Sequence, residues 1–387
     1  MLEALLLVVM AGSTTPDFEA RCCLTEWFDY ITETDEDRIR KRFALYEDLG
    51  VDMLRLTIYA GHGWCSEAYL NALRDAPFRL KIILDNMPQE PEFHTTDEHG
   101  RTAASGLNYW HPELRIRADE MTQVIFERLK ASGLEDRVDF VIPAMGMAGE
   151  PLYPHPWTTG FDDPSFWCYG EHAQADFRES MKAKYDTIED ADAAWGSDFA
   201  DWDAVHVLPP GTLPGTYWED VLVWYRDTKR DYVEWNITNT QRYTDKTVLL
   251  YVPGVHFSED DWQEAIDTGR GNVWITIMTD HEFLVDQAAK HGCWVQYTGL
   301  GPDGDADRVA AYIQEKGYDK VGVWGENPGV PQAVTDPVAL ARMVVDLGLH
   351  GLDLTFSSFL FEDDGITPNH LWPAMGEGFQ LIRDEAP

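Results

Sequence analysis

Two glutamates in this 387-residue chain stand where a carboxylate is costly. Glu150 ends the apolar run VIPAMGMAG, and Glu326 closes VGVWGE just before Asn-Pro-Gly. A charge just past a buried strand must be paired or put to use. An ion pair with Arg55, capping a core, would account for either acid alone. Two carboxyls facing each other have a further use: they can flank a glycosidic bond. One then stays protonated as the acid, and the other ionises as base or nucleophile. Further polar residues close other apolar runs: Glu26, Arg55, Thr57, Tyr59, Asp85, Asn86, His256, Tyr297, Thr298, Asn327, Ser357 and Ser358. Rings crowd the same places, among them Trp27, Trp64, Trp110, Tyr153, Trp157 and Trp324. Such rings pack loops or stack on sugars. From these sets Arg55, Tyr59, Asp85, Asn86, Tyr153, His256, Tyr297, Thr298, Trp324 and Asn327 are the expected substrate contacts.

The elements that must position these residues alternate regularly. Apolar runs at 22–28, 51–61, 78–87, 138–150, 246–257, 293–301, 320–329 and 351–361 read as strands. Between them lie amphipathic helical stretches, such as 35–50 with Gly50 as its stop and 66–76 opened by a Ser cap. Others are expected at 117–133, 166–195, 218–243, 305–317, 336–348 and within 368–384. The strands are continuous apolar runs, as in a parallel sheet covered on both faces. Eight strand–helix units predict an α/β fold, a single-domain (β/α)8 TIM barrel. It occupies residues 21–387, with long insertions after the fourth and fifth strands. Residues 1–20 form a leader or apolar extension. NVWITIMT (272–279) is either an extra strand or part of the second insertion. In such a barrel the site lies at the carboxyl ends of the strands. The fourth and seventh strands, carrying Glu150 and Glu326, face each other across the mouth.

Composition narrows the partners. Lys and Arg total 30 against 68 Asp and Glu, a formal net charge of −38. A surface this acidic repels phosphate backbones and anionic membranes, so neither nucleic acid nor membrane is an expected partner. It suits concentrated salt, where screening removes self-repulsion, and reads as a halophilic protein, the alternative being an ordinary acidic one. The five cysteines include no C-x-x-C pair and fit neither a disulfide framework nor a zinc site. Free cysteines favour the cytoplasm; an apolar start and a polysaccharide substrate favour export. The DGDAD run (303–307) has Arg308 where a calcium loop needs Gly, and reads as a helix cap. No phosphate loop and no G-x-S-x-G elbow occur. No metal and no cofactor is expected.

Several stretches carry a family resemblance. GEPLYPHPW (149–157), FWCYGEHAQADFRESMKAKY (166–185), DADAAWG (190–196) and LPP (208–210) resemble the β-amylases of glycoside hydrolase family 14. WGENPGVP (324–331) and GLHGLDLTF (348–356) resemble that family's seventh strand and the entry to its eighth. YTGL (297–300) falls at its inner loop and matches Thr298. The KY…AWG…W…PP pattern is also similar to the family 42 β-galactosidases of the retaining barrel clan. Arg55 in LRLTIY matches that clan's second-strand arginine. The likeness spans roughly residues 35–365 and is densest from 145 to 210 and around Glu326. It implies Glu150 as general acid and Glu326 as second carboxylate, a base in the first family and a nucleophile in the second.

Three positions depart from these patterns. Thr57 stands where β-amylases hold a sugar with Asp, residues 85–102 replace their Gly-rich flexible loop, and Gly149 replaces the clan's Asn. The expected activity is hydrolysis of an O-glycosidic bond in an oligo- or polysaccharide, β-amylase-like, in carbohydrate metabolism. The alternatives are a retaining β-galactosidase-like enzyme, a non-catalytic carbohydrate-binding barrel, or a lyase.

Overall fold

The computed structural model describes residues 21–26, 29–61, 64–146, 149–254, 256–301, 304–330 and 334–386. The N-terminal 1–20 stretch, Trp27 and Asp303 lie outside the described residues. Ten strands occur among them: β1 (Cys22–Thr25), β2 (Met53–Tyr59), β3 (Arg79–Asp85), β4 (His94–Thr96), β5 (Thr102–Leu107), β6 (Val138–Pro143), β7 (Thr247–Val252), β8 (Trp294–Tyr297), β9 (Val323–Glu326) and β10 (Gly351–Leu354). Eight close into a barrel in the order β1-β10-β9-β8-β7-β6-β3-β2. Every barrel pairing is parallel, including β1 on β2 and β1 on β10. The chain therefore folds as the expected (β/α)8 barrel, with all eight expected strands present.

The period of two along each strand divides its side chains. One set meets the surrounding helices in the large outer core, with Leu54, Leu56, Ile82, Leu84, Val295 and Leu352. The other fills the barrel with Cys23, Met53, Phe140, Ile142, Leu249, Tyr251, Trp294 and Trp324. Register then places polar residues on that inward face. Arg55 sits opposite Thr25 on one side and Lys81 on the other, and Glu326 sits opposite Asp353.

The helices start where caps require. Asp35 accepts from Arg38 N–H at the head of Glu36–Leu49, and Gly50 closes it at φ 86°. Ser66 does the same for Glu67–Asp75. The stretch 166–195 is two helices, Glu171–Lys184 and Ile188–Trp195, because Thr187 caps a new start through Asp190 N–H. NVWITIMT forms a short helix, Val273–Ile277, capped by Asn272. A closed barrel has no free edge for another strand, so this apolar piece buries itself in the insertion instead.

The region 85–102 holds an element the sequence did not announce. β4 and β5 pair antiparallel into a hairpin after β3. Thr95 Oγ1 donates to Trp167 O, and Tyr169 N–H donates to Thr96 O at 2.9 Å, tying the hairpin to the insertion after β6. A second, aromatic core lies beneath it. Tyr153 stacks on Tyr225 at 3.8 Å and 11°, and Trp110 stacks on Trp224 at 5.0 Å. This core anchors the loop that carries Glu150, because Tyr153 N–H donates to Ile277 O at 3.1 Å.

Candidate active site

The barrel mouth opens into a cavity of about 1220 Å³. Glu150, Glu326, Arg55, Tyr59, Asp85 and Thr298 all line it, as do Glu26 and Thr57. Fold closure thus brings together six of the twelve expected site residues, from β2, β3, β9 and the loops after β6 and β8.

Glu326 is gripped from three sides. Arg55 Nη1 donates to Oε2 at 2.6 Å and Nη2 to Oε1 at 2.7 Å, a bidentate fork. Thr355 Oγ1 donates to Oε1 at 2.7 Å, and Gln296 Nε2 donates to Oε2. A carboxylate offers about four acceptor positions, and all are used here. Arg55, Gln296 and Thr355 come from β2, β8 and the end of β10, so the whole barrel sets the direction of this side chain.

Glu150 has the opposite surroundings. Thr298 is its hydrogen-bond partner, the hydroxyl donating to Oε1. That hydroxyl also accepts from Gly254 N–H at 3.2 Å, so its own proton is left for Glu150. Burial among apolar walls pushes the Glu150 carboxyl up to about 7. The Thr298 bond and Arg55 oppose the rise, and the Glu326 charge adds to it. A carboxyl in this setting keeps its proton near neutrality.

The loop behind Glu150 is shaped by glycine. Gly149 has φ +86°, and a Cβ there would stand 3.0 Å from Tyr251 Cε2. Tyr251 in turn lies under Arg55, 5.6 Å from its guanidinium carbon. Gly149→Ala combines a strained φ with a tight contact, and both displace Glu150. A loss of turnover of about tenfold or more is expected, with about 1–2 kcal/mol of stability. Steady-state kinetics and urea unfolding of that variant check it.

The other six expected contacts lie off the cavity wall. Asn86 is buried beneath it and hydrogen-bonded to Thr122 at 2.8 Å. Tyr153 belongs to the aromatic core and donates to Tyr225 O at 2.9 Å. His256 is half-buried against Phe257 and His281, and burial holds its ring down at about 4, in the neutral form. The Tyr297 hydroxyl accepts from Asp305 N–H at 2.6 Å. Trp324 fills the barrel interior, with Lys81 Nζ 3.8 Å above its ring. Asn327 accepts from Thr355 N–H at 2.8 Å and donates back to Thr355 O, which fastens the end of β9 to the end of β10. These six stand at or near the ends of apolar runs, but strand phase, depth in the barrel or local packing keeps each of them off the opening.

Sequence reasoning passed over Lys81, Gln296, Asp353, Thr25 and Thr355, which lie under or beside the carboxylates. A signal existed. Each sits in the inward phase of an apolar strand, as in RLKIILD, WVQY and GLDL. A polar residue in that phase is buried and needs a partner inside the barrel.

No family model matches the chain. A thermophilic β-amylase from Thermoanaerobacterium thermosulfurigenes is 27% identical over 141 residues, covering 34% of this chain and 25% of that protein. The chain thus spans about a quarter of that relative's length. Among solved structures, the catalytic domain of β-amylase from Paenibacillus polymyxa aligns at TM-score 0.75 and 17% identity. That alignment covers 95% of this chain and 99% of the other. A β-galactosidase from Bacillus circulans sp. alkalophilus aligns at TM-score 0.61 and 13% identity, over 95% of this chain and 56% of its own. One from Rahnella sp. R3 aligns at TM-score 0.65 and 11% identity, over 96% and 57%. These structures share the barrel fold with this chain.

Proposed function

We propose that this chain is a glycoside hydrolase in which Glu150 is the general acid and Glu326 the second carboxylate. The observation that carries the reading is the contrast between two carboxyls in one cavity. One is half-buried, bonded to a hydroxyl and protonated up to about pH 7; the other meets a bidentate arginine and two further donors. Acids driven apart in this way take the two roles of glycosidic cleavage. Glu150 gives its proton to the leaving oxygen as the bond to the anomeric carbon breaks. The likeness to β-amylase and β-galactosidase structures supports the same reading. The uncharged cavity faces of Leu152, Trp157 and Ile277 suit sugar rings.

Two stereochemical courses are open to Glu326. In the β-amylase-like course it takes a proton from water, which attacks the anomeric carbon from the opposite face and inverts it. The GEPLYP and GEN stretches favour this course. In the retaining course Glu326 attacks the carbon itself, and Glu150, now ionised, later deprotonates the water that releases the sugar. The Arg55 fork favours this second course: it holds both Glu326 oxygens and fixes the carboxylate's direction, as the second-strand arginine of the retaining clan would.

A hydrolysis screen in about 2–3 M KCl decides, with salt chosen to screen the acidic surface. Starch, maltooligosaccharides, β-galactosides and β-glucans form the panel, with NMR of the fresh anomer. Turnover that disappears in Glu326→Gln is expected. An inverted product assigns the β-amylase-like course, and a retained one the nucleophile. A folded protein that binds these sugars and turns over none of them would instead be a carbohydrate-binding barrel.

A further inference from the structure

Glu326 stands on a deeper set of charges that cleavage itself does not use. Lys81, Gln296 and Asp353 are fully buried, on β3, β8 and β10. Lys81 Nζ donates to Gln296 Oε1 at 2.6 Å and pairs with Asp353 Oδ2 at 3.1 Å. Asp353 Oδ1 accepts from Thr25 Oγ1 at 2.8 Å. Its Oδ2 also accepts from Gln296 Nε2 at 3.2 Å and lies 3.2 Å from Arg55 Nη1.

Donor direction makes this set a device. An ammonium has only donors, so Lys81 holds the Gln296 carbonyl toward itself. The amide nitrogen then has to face the two carboxylates, and it donates to Glu326 Oε2 and Asp353 Oδ2. Arg55 Nη1 is likewise held between Glu326 Oε2 at 2.6 Å and Asp353 Oδ2 at 3.2 Å. The set contains two cations, Lys81 and Arg55, and two carboxylates, Asp353 and Glu326, so its charge is balanced. Stability alone does not explain it. Buried ion pairs rarely stabilise more than well-packed apolar residues of the same volume. Here the surrounding interior is apolar, with Lys81 lying over Trp324 and Phe140.

We propose that Lys81, Gln296 and Asp353 are positioning residues, a charge-balanced pedestal that aims Arg55 and Glu326 at the substrate. The word substrate rests on the glycosidase reading, but the pedestal can be tested without one. Glu150 faces Glu326 from β9, Arg55 from β2, Tyr251 from β7 and Thr298 after β8, and so reports on the charge of the set. Its carboxyl is followed by 13C NMR of glutamate-labelled protein, assigned by difference against Glu150→Gln.

Lys81→Met leaves one uncompensated negative charge, so the Glu150 midpoint should rise by about half a unit or more. Asp353→Asn leaves one positive charge, so the midpoint should fall by a similar amount. The double variant Lys81→Met/Asp353→Asn is neutral again and should return it. A midpoint unmoved in both single variants overturns the pedestal. If either single variant does not fold, the double variant carries the test. With a sugar found in the screen, it should lose about 100-fold in kcat with KM within about twofold, because Gln296 is no longer oriented while nothing touching substrate has changed. Full kcat in a folded double variant overturns the proposal. If the wild type turns over no sugar, the hydrolase reading fails, and the opposite NMR shifts still decide the pedestal.

Discussion

Glu150→Gln is expected to lower kcat by about 10³-fold on an unactivated glycan, since the amide has no proton to give. A glycoside with an acidic phenol as leaving group needs little protonation and should lose far less. The same substitution should stabilise the protein at alkaline pH. Burial raises the folded-state carboxyl from 4.5 to about 7. The unfolded chain therefore gives up this proton near pH 4.5, while the folded chain holds it to about 7. Ionising Glu150 above that point costs the folded state about 2 kcal/mol after allowance for its partial exposure. Gln removes that cost. The gain should be full above pH 7, shrink as pH falls, and vanish below about 4.5. Urea unfolding of both proteins at pH 8 and pH 4.5 measures it, and kcat/KM against pH should show a basic limb near 7 that the variant lacks. An equal stability difference at the two pH values would mean that Glu150 is not held protonated by burial. A change that stabilises the fold while lowering turnover is what a functional carboxyl buried at a cost produces.

Much of this arrangement was legible in the sequence, for physical reasons. A parallel barrel buries both faces of each strand, so its strands appear as unbroken apolar runs, and all eight could be read in order. Glu150 and Glu326 stood out because charge at the end of such a run is costly. Their mutual facing followed from strand order alone. The rest failed where phase decides. Trp324 is two residues before Glu326 and shares its inward phase, but lies one layer deeper, under the Lys81 ammonium. Tyr153 sits three residues after Glu150 and is captured by Tyr225, a ring that reaches it only through the folded insertion. The β4–β5 hairpin was missed because its strands are short, polar and half-exposed, with no periodic apolar signal. Gln296 and Asp353 carried a readable signal, an inward polar phase, but their partners come from β2 and β3, more than 200 residues away.

Arg55→Met tests whether the charges beneath the cavity act as one unit. Arg55 is buried and serves both Glu326 and Asp353. Burial alone would push the Asp353 carboxyl up; Arg55 and then Lys81 overcome this and hold it below the usual carboxylate range. Methionine fills much of the volume but leaves two buried carboxylates with Lys81, paired to Asp353, as the remaining cation of the set. Breaking a buried pair from one side costs about 3–5 kcal/mol, so the variant should unfold at clearly lower urea. The loss should depend on pH in a fixed direction. A carboxylate with a depressed folded pKa contributes stability above its unfolded value of about 3.9, and this contribution is lost as pH falls through the folded value. The gap between wild type and Arg55→Met should therefore be full at pH 7 and close on acidification below about pH 4. Turnover should fall at least about 100-fold, because Glu326 keeps only Thr355 and Gln296 to direct it. Arg55→Lys separates charge from shape. Its single ammonium restores a cation but cannot span both Glu326 oxygens, so it should recover most of the stability and little of the turnover. If lysine restores both, net charge alone is what Glu326 needs, and the bidentate fork does not aim it.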